Sequence, residues 1–304
     1  MSAEPAPFRC GYVAIVGRPN VGKSTLMNRL IGQKISITSH KPQTTRHRIH
    51  GIKTTAEAQL IFVDTPGLHA DNKKQLNRVM NRTALSAVAD VDVVVFVIEG
   101  TALREGDSFV LSRLEGITAP LIVVINKVDK IEEKGKLLPF LQKLQELTHC
   151  REIVPLSARN GDNVERLVEA ITALLPAGEA IFGEEEITDR SMRFIAAEIV
   201  REKLMRRLGQ ELPYSVAVEV ESYVENEHNI TIDAAIWVER ASQKGIVIGK
   251  QGHMLKEIGT QARKDLEKSL GTKVVLRLWV KVKEGWSEDG RILRSLGLND
   301  HTAS

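Results

Sequence analysis

The segment Gly17-Arg-Pro-Asn-Val-Gly-Lys-Ser24 constrains this chain more than any other stretch. It follows a short apolar run, Tyr12 to Val16, and opens a helical pattern from Lys23 to Ile31. The pattern G-x-x-x-x-G-K-[ST] between a strand and a helix is the spacing of a loop that wraps a polyphosphate. Gly17 and Gly22 permit turns that aim successive backbone N–H groups inward, at a helix N-terminus where the peptide dipoles favour an anion. Arg18, Pro19, Asn20 and Val21 form the loop between them, and Thr25 carries the chain onward. Lys23 places a point charge against the outer phosphates, and Ser24 offers a hydroxyl to Mg²⁺. A glycine turn with a solvated lysine would satisfy the same spacing, so the reading depends on companions further along.

Those companions are present in order. Apolar runs at Leu60 to Val63, Val91 to Ile98, Leu121 to Ile125 and Ile153 to Leu156 alternate with helical patterns near 74–89, 105–115, 134–147 and 163–175. Near-continuous Val/Ile/Leu strands between amphipathic helices imply a mostly parallel sheet with helices on both faces, an α/β P-loop NTPase domain. Arg48 to Thr54 reads as an added antiparallel edge strand. Three motifs then follow strand ends. Asp64-Thr65-Pro66-Gly67-Leu68 supplies a carboxylate for Mg²⁺ through water and a Gly67 amide to sense the γ-phosphate. Asn126-Lys127-Val128-Asp129 supplies a carboxylate able to accept N1–H and the exocyclic amine of guanine, a donor pair that adenine lacks at that edge. Ser157-Ala158 places a backbone N–H toward the guanine O6. Ligands of open α/β sheets bind at the carboxyl ends of the strands, so the ensemble implies a Mg²⁺-dependent GTP/GDP site and GTP hydrolysis.

The chain has 304 residues, enough for two domains, and its 42% hydrophobic and 27% charged composition is that of a soluble globular protein. No apolar run approaches the ~18–20 residues of a spanning helix, and the N-terminus does not read as a secretory signal. Two cysteines, Cys10 and Cys150, exclude a disulfide framework and a structural zinc site and favour a reducing cytosol. Pro176, Gly178 and Gly183, followed by Glu184, Glu185, Glu186 and Asp189, read as a linker, dividing the chain into residues 1–180 and 181–304. Beyond it, Asp189 is expected to cap a helix running to about Leu208, with Gly209 as its stop. Strands over Pro213 to Val224 and Ile230 to Val238, a helix over 253–269 ending at Gly271, and a strand over Val274 to Val282 complete an α+β layout.

Within this second part, Arg240 to Lys283 holds 11 Lys/Arg against three acids. That excess suits either a polyanion or a solvated helix face. Gly249-Lys250-Gln251-Gly252 lies inside it between two helical segments, where a glycine-bracketed turn lets an RNA backbone approach closely. Lys244, Lys250, Lys256, Arg263 and Lys264 are the expected phosphate contacts. Ile246, Val247 and Ile248 suit an apolar groove for bases, although a place in the core is the stronger expectation for them and for Trp279. With 4% aromatic residues, recognition by ring stacking is not expected.

Together with the run Lys41-Pro-Gln-Thr-Thr-Arg-His-Arg48, these motifs and the second-domain layout resemble the translation-factor-class GTPases that carry a C-terminal KH domain of type II. The resemblance covers about Gly11 to Leu298. It implies that Thr45, or its neighbour Thr44, closes over Mg²⁺ in the triphosphate state, alongside Ser24 and Asp64. Lys23, Thr45, Gly67 and Asn20 become the expected catalytic groups, with K⁺ held by Asn20 standing in for an arginine finger. The water-orienting glutamine of Ras-like enzymes is absent, because Leu68 occupies its place. No role is expected for His40, His47 or His69. The resemblance further implies binding to the 3′ end of small-subunit (16S) ribosomal RNA, assistance to 30S assembly and rRNA processing, and a monomeric state. It also implies a cytoplasmic location with peripheral association at the inner membrane. Two alternatives stand beside it. One is the GTPase module of an RNA-modification enzyme, against which the chain's last residues, Asn299 to Ser304, lack the cysteine motif of that class. The other is a membrane-surface switch whose basic patch meets anionic lipid.

Overall fold

The computed structural model describes residues 7–39, 41, 44–68, 75–209 and 216–289. His40, His69, Pro213 and Asn299 to Ser304 lie outside them. The chain forms two compact units. It leaves the first after Ser36, returns to it at Thr45, departs again over Lys74–Val79, returns at Met80, and passes finally into the second between Asp189 and Arg190.

The first unit is built on a six-stranded sheet in the order β2-β3-β1-β4-β5-β6. Its strands are β1 (Arg9–Val16), β2 (Ile49–Thr54), β3 (Ala58–Asp64), β4 (Val93–Glu99), β5 (Leu121–Asn126) and β6 (Glu152–Pro155). Only β2 runs antiparallel to its neighbour. The helices are α1 (Lys23–Ile31), α2 (Gln75–Ala89, in this unit from Met80 on), α3 (Glu105–Leu114), α4 (Leu137–Thr148) and α5 (Val164–Leu174). Ala84 and Val88 of α2, Val110 and Leu114 of α3 and Phe140 and Leu144 of α4 pack with Ala14, Val16, Phe96, Ile98 and Ile125 on one face. α1 and α5 lie together on the other side, with α1 against β2 and β3. Both sheet faces are therefore buried, which is why the strands read as unbroken apolar runs; each such side chain contributes about 1.5–3 kcal/mol. The parallel register pairs Ile15 with Asp64 and Glu99 with Asn126, so the strand ends form one edge.

The stretch expected to be a linker stays with this unit. Gln59, fully buried, accepts the N–H groups of Ile181 and Phe182 on its Oε1 and donates to the Phe182 carbonyl. Thr188 bridges Gly51 beyond the free edge of β2. Asp189 caps no helix: one oxygen accepts the His50 N–H at 3.2 Å and the other lies 3.1 Å from His50 Nδ1. Ser191 is the cap, accepting the Phe194 N–H in extended geometry, and α6 runs Met192–Arg207.

The second unit contains α6, β7 (Val216–Glu225), β8 (Asn229–Val238), α7 (Ala241–Ile248), α8 (His253–Leu270) and β9 (Lys273–Val282). β7 pairs antiparallel with β8, and β8 pairs parallel with β9, as the α7–α8 crossover requires. Ile195, Ile199, Leu204, Ile232, Ile236, Val247, Ile258, Leu266 and Val280 form the core. Trp279 does not belong to it. On β9 the even positions, such as Val274 and Val280, face the helices, so Trp279 turns to the other face, where the Lys281 ammonium lies 5.9 Å from its ring. Trp286 is the fully buried tryptophan.

Residues 37–44 also belong to this unit. Their anchor is a charged row on α6, Glu198, Arg201, Glu202 and Lys203, each no more than 5% exposed. Glu202 accepts the Thr38 N–H at 3.0 Å, and Arg206 donates to the Thr38 carbonyl. Arg201 pairs with Glu198 and donates to the Thr44 carbonyl, and the Lys41 ammonium donates to the Leu208 carbonyl.

Candidate nucleotide and nucleic-acid sites

The phosphate loop joins β1 to α1. Gly22 sits at φ +103, and a Cβ there would stand 2.3 Å from Asn126 Nδ2, so no other residue fits. Lys23 is buried and donates to the carbonyls of Gly17 at 2.9 Å and Arg18 at 3.1 Å. Burial pulls its pKa down to about 8, Asp64 works against that shift and Arg18 adds to it. An anion in the loop would restore the charged form.

Behind Lys23 the three expected metal ligands converge. Ser24 Oγ is 2.8 Å from Thr45 Oγ1 and donates to Asp64 Oδ2 at 2.9 Å, and Thr45 Oγ1 reaches the same oxygen at 3.4 Å. Ser36 Oγ, which the sequence motifs do not include, donates to it at 2.7 Å. Asp64 is fully buried, and its Oδ1 has no hydrogen-bond partner. Burial raises the carboxyl pKa against the hydrogen bonds of Ser36, Ser24 and Thr45 and the charge of Lys23. Two hydroxyls beside an orphaned carboxylate oxygen form a hard-oxygen donor set that suits Mg²⁺. Thr44 faces elsewhere, its hydroxyl donating to the Lys41 carbonyl at 2.6 Å.

In the strand-end loop after β3, Thr65 donates to the Ile15 carbonyl, and Pro66 is buried. Gly67 lies so close to Pro19 that a Cβ would meet its Cγ at 2.9 Å. Leu68 is buried in the core against α2, α3 and α4 and faces no water. On the guanine side, Asn126 donates to the Val21 carbonyl and accepts the N–H groups of Ala158 and Lys127. Val128 donates to the Leu156 carbonyl. Asp129 is exposed, and one of its oxygens accepts the Ser157 hydroxyl at 2.6 Å. At Ser157-Ala158, where one backbone N–H is expected to meet guanine O6, both amides have partners within the protein: Ser157 N–H on the Asp162 carbonyl and Ala158 N–H on Asn126 Oδ1.

In the second unit, α7 ends at Gly249 (φ +73), and the turn Lys250-Gln251-Gly252 opens α8 with Gln251 at φ +51. Lys244, Lys250, Lys256 and Lys264 are exposed, while Arg263 pairs with Glu267 at 2.8 Å. Of the apolar trio, Ile246 is 54% exposed, Val247 is in the core and Ile248 packs partly against it. Among the described residues no helix is long and apolar enough to cross a membrane.

A P-loop GTPase unit followed by a KH unit is the class that this fold and these motifs define. Residues 12–127 match the family described as 50S ribosome-binding GTPase, and residues 211–287 match the KH domain. GTPase Era of Pseudomonas putida is 55% identical over 294 residues, spanning 97% of this chain and 98% of its own. GTPase Era of Pseudomonas aeruginosa is 54% identical over 296 residues, 97% of each chain. The chain belongs to the GTPase Era family and is a GTPase. Two solved structures align with a TM-score of 0.92 at 42% identity, covering 96% of this chain and 99% of theirs. One is a variant of Aquifex aeolicus Era bound to GDP·AlF4⁻; the other is Era in complex with MgGDPNP and nucleotides 1506–1542 of 16S ribosomal RNA.

Proposed function

We propose that this GTPase is a nucleotide-controlled clamp for the 3′ end of small-subunit ribosomal RNA, acting in 30S assembly and rRNA processing in the cytoplasm. One family description mentions the 50S subunit, but the similar Era structure holds nucleotides of 16S RNA, and that relative covers 96% of this chain, whereas the family match ends at residue 127. In this reading Lys23 and the loop amides hold the β- and γ-phosphates, Asp129 reads guanine, and Ser24, Thr45 and Asp64 hold Mg²⁺. The ion, when bound, neutralises phosphate charge. The Gly249–Gly252 turn and the exposed Lys244, Lys250, Lys256 and Lys264 take the RNA backbone. Peripheral membrane association and a monomeric state are expectations of kinship alone.

The observation that carries the switch is one peptide bond. Thr45 meets Ser24 and Asp64, while the carbonyl of Thr44 is held by Arg201 of α6. Moving Thr45 toward or away from a metal–triphosphate therefore pulls on α6 through the backbone. RNA affinity is expected to differ about tenfold between GTP-analogue and GDP states, within the usual 1–3 kcal/mol of coupling. The double variant E198Q/R201M, which removes both charges and leaves neither buried alone, is expected to bring the two affinities together. Fluorescence anisotropy with a 3′-end 16S oligonucleotide measures this; an unchanged ratio in the double variant refutes the coupling.

Leu68 cannot orient water, so charge must come from elsewhere. Asn20 is exposed at φ +67 in the phosphate loop. We assign it to K⁺. Turnover at saturating GTP is expected to be at least about tenfold faster in K⁺ than in Na⁺, a gain of about 1.4 kcal/mol in barrier. Asn20→Ala is expected to abolish the difference, and equal rates in the two salts for the parent protein rule the assignment out.

A further inference from the structure

β4 ends on a carboxylate that belongs to none of the nucleotide motifs. Glu99 stands opposite Asn126 in the sheet, with its side chain 16% exposed, between two hydrogen-bonded cations, Arg18 and Lys127, with the exposed Arg104 guanidinium 3.7 Å from its Oε1. Its Oε1 accepts from Arg18 Nη2 at 2.6 Å, and its Oε2 accepts from the Lys127 ammonium. Arg18 is the second residue of the phosphate loop, and its Nε lies 3.0 Å from the fully buried Asp107 carboxylate. Lys127 follows the asparagine of the guanine-reading loop and also donates to the Asn20 carbonyl at 2.7 Å. Both Asn20 and Lys127 are in the left-handed region, at φ +67 and +65. One carboxylate thus ties the loop for the phosphates to the loop for the base, at a point where two non-glycine residues hold an uncommon backbone shape.

We propose that Glu99 is a positioning residue that presets the two nucleotide-binding loops, so that its charge governs affinity for guanine nucleotides without touching them. The proposal rests on the guanine-nucleotide reading of this site. Without the carboxylate, Arg18 and Lys127 face each other as like charges. Lys127 then loses its hold beside Asn20, whose left-handed backbone costs about 1 kcal/mol when nothing supports it. Loops that are no longer preset must be ordered by the ligand, and a ligand binding a partly populated competent state binds more weakly by that fraction. The loss falls on GDP and GTP alike, because both share the base and the inner phosphates. Burial works to raise the Glu99 carboxyl, but the hydrogen bonds and charges of Lys127 and Arg18 outweigh it and hold the group below the ordinary glutamate range.

The test uses the full chain with Mg²⁺. E99Q keeps the shape and removes the charge. Its Kd for GDP and for a GTP analogue is expected to rise about tenfold each with their ratio preserved, and KM to rise with kcat unchanged. In a double-mutant cycle with K127M, E99Q is expected to add less than about twofold, since its effect runs through that lysine. A merely structural role moves stability without producing this coupling. E99D retains the charge but is one methylene too short to bridge both cations, so it is expected to lose about threefold; it serves as the measured variant should E99Q not fold. Wild-type affinity in the variant that folds, or an undiminished E99Q effect in the K127M background, overturns the proposal. Absence of GDP binding by the parent protein would instead refute the nucleotide reading itself.

Discussion

Replacing Asp129 by asparagine is expected to lower GDP affinity by about a thousandfold and to create affinity for XDP. Guanine presents two donors to Asp129, N1–H and the exocyclic amine, and a hydrogen bond to a charged group contributes about 1.5–3 kcal/mol. An amide offers one acceptor and one donor in their place, so one good bond is lost and an N–H is turned against the guanine amine. Xanthine carries a carbonyl where guanine carries that amine, and the amide donor satisfies it. Sites built around a polar partner discriminate steeply for this reason. The fold is expected to be untouched, because Asp129 is exposed and its one internal contact, the Ser157 hydroxyl, needs only an acceptor oxygen. Calorimetry with GDP, XDP and ADP reads the change. Retention of GDP affinity within tenfold of the parent protein would remove Asp129 as the base reader.

Much of this fold was legible because its signals are local. Val93 to Ile98 and Ile122 to Ile125 are buried on both faces, so the parallel sheet appears as uninterrupted apolar sequence. The phosphate loop is equally visible, since an anion nest is a run of backbone turns and glycines mark them. Contacts set by register are another matter. Glu99 faces Lys127 because β4 and β5 align at Glu99 and Asn126, and no spacing in the chain announces that pairing. Ser36 is hidden in the same way, reaching Asp64 across 28 positions. The two threonines are indistinguishable in sequence, and only the folded side chains show that the Thr45 hydroxyl turns to Ser24 while that of Thr44 turns to the Lys41 carbonyl. α6 misleads outright: Glu198, Arg201, Glu202 and Lys203 look like a solvated face, yet all are buried against partners. The acids after Gly183 likewise resemble a free linker, although Ile187 and Thr188 pair along β2. Trp279 was readable in principle, since the alternation from Val274 already sets its side of the strand.

Substituting Gly252 by aspartate is expected to reduce RNA affinity by about a hundredfold, as a charge set against a phosphate costs several kcal/mol at most, while leaving GTP turnover without RNA unchanged. The position permits a clean experiment. Gly252 has φ +76, and a Cβ there meets nothing within 4 Å, whereas at Gly249 it would stand 2.6 Å from Met254 Cβ and disturb the core side of the turn. Aspartate tolerates the left-handed region better than most residues, so the strain is about 1 kcal/mol and the KH unit stays folded. The added carboxylate sits at the N-terminus of an 18-residue helix, where an anion stabilises the free protein. It thereby occupies the dipole that an RNA phosphate would use and offsets the neighbouring charge of Lys250. Weaker binding should come with a shallower salt dependence, because fewer counterions are released when a phosphate contact is lost. Anisotropy across a salt series, with circular dichroism melts as the control for folding, separates this from simple unfolding. RNA affinity within threefold of the parent protein would place the RNA on some other face of the second unit, since a carboxylate in a phosphate-facing turn cannot be neutral to binding.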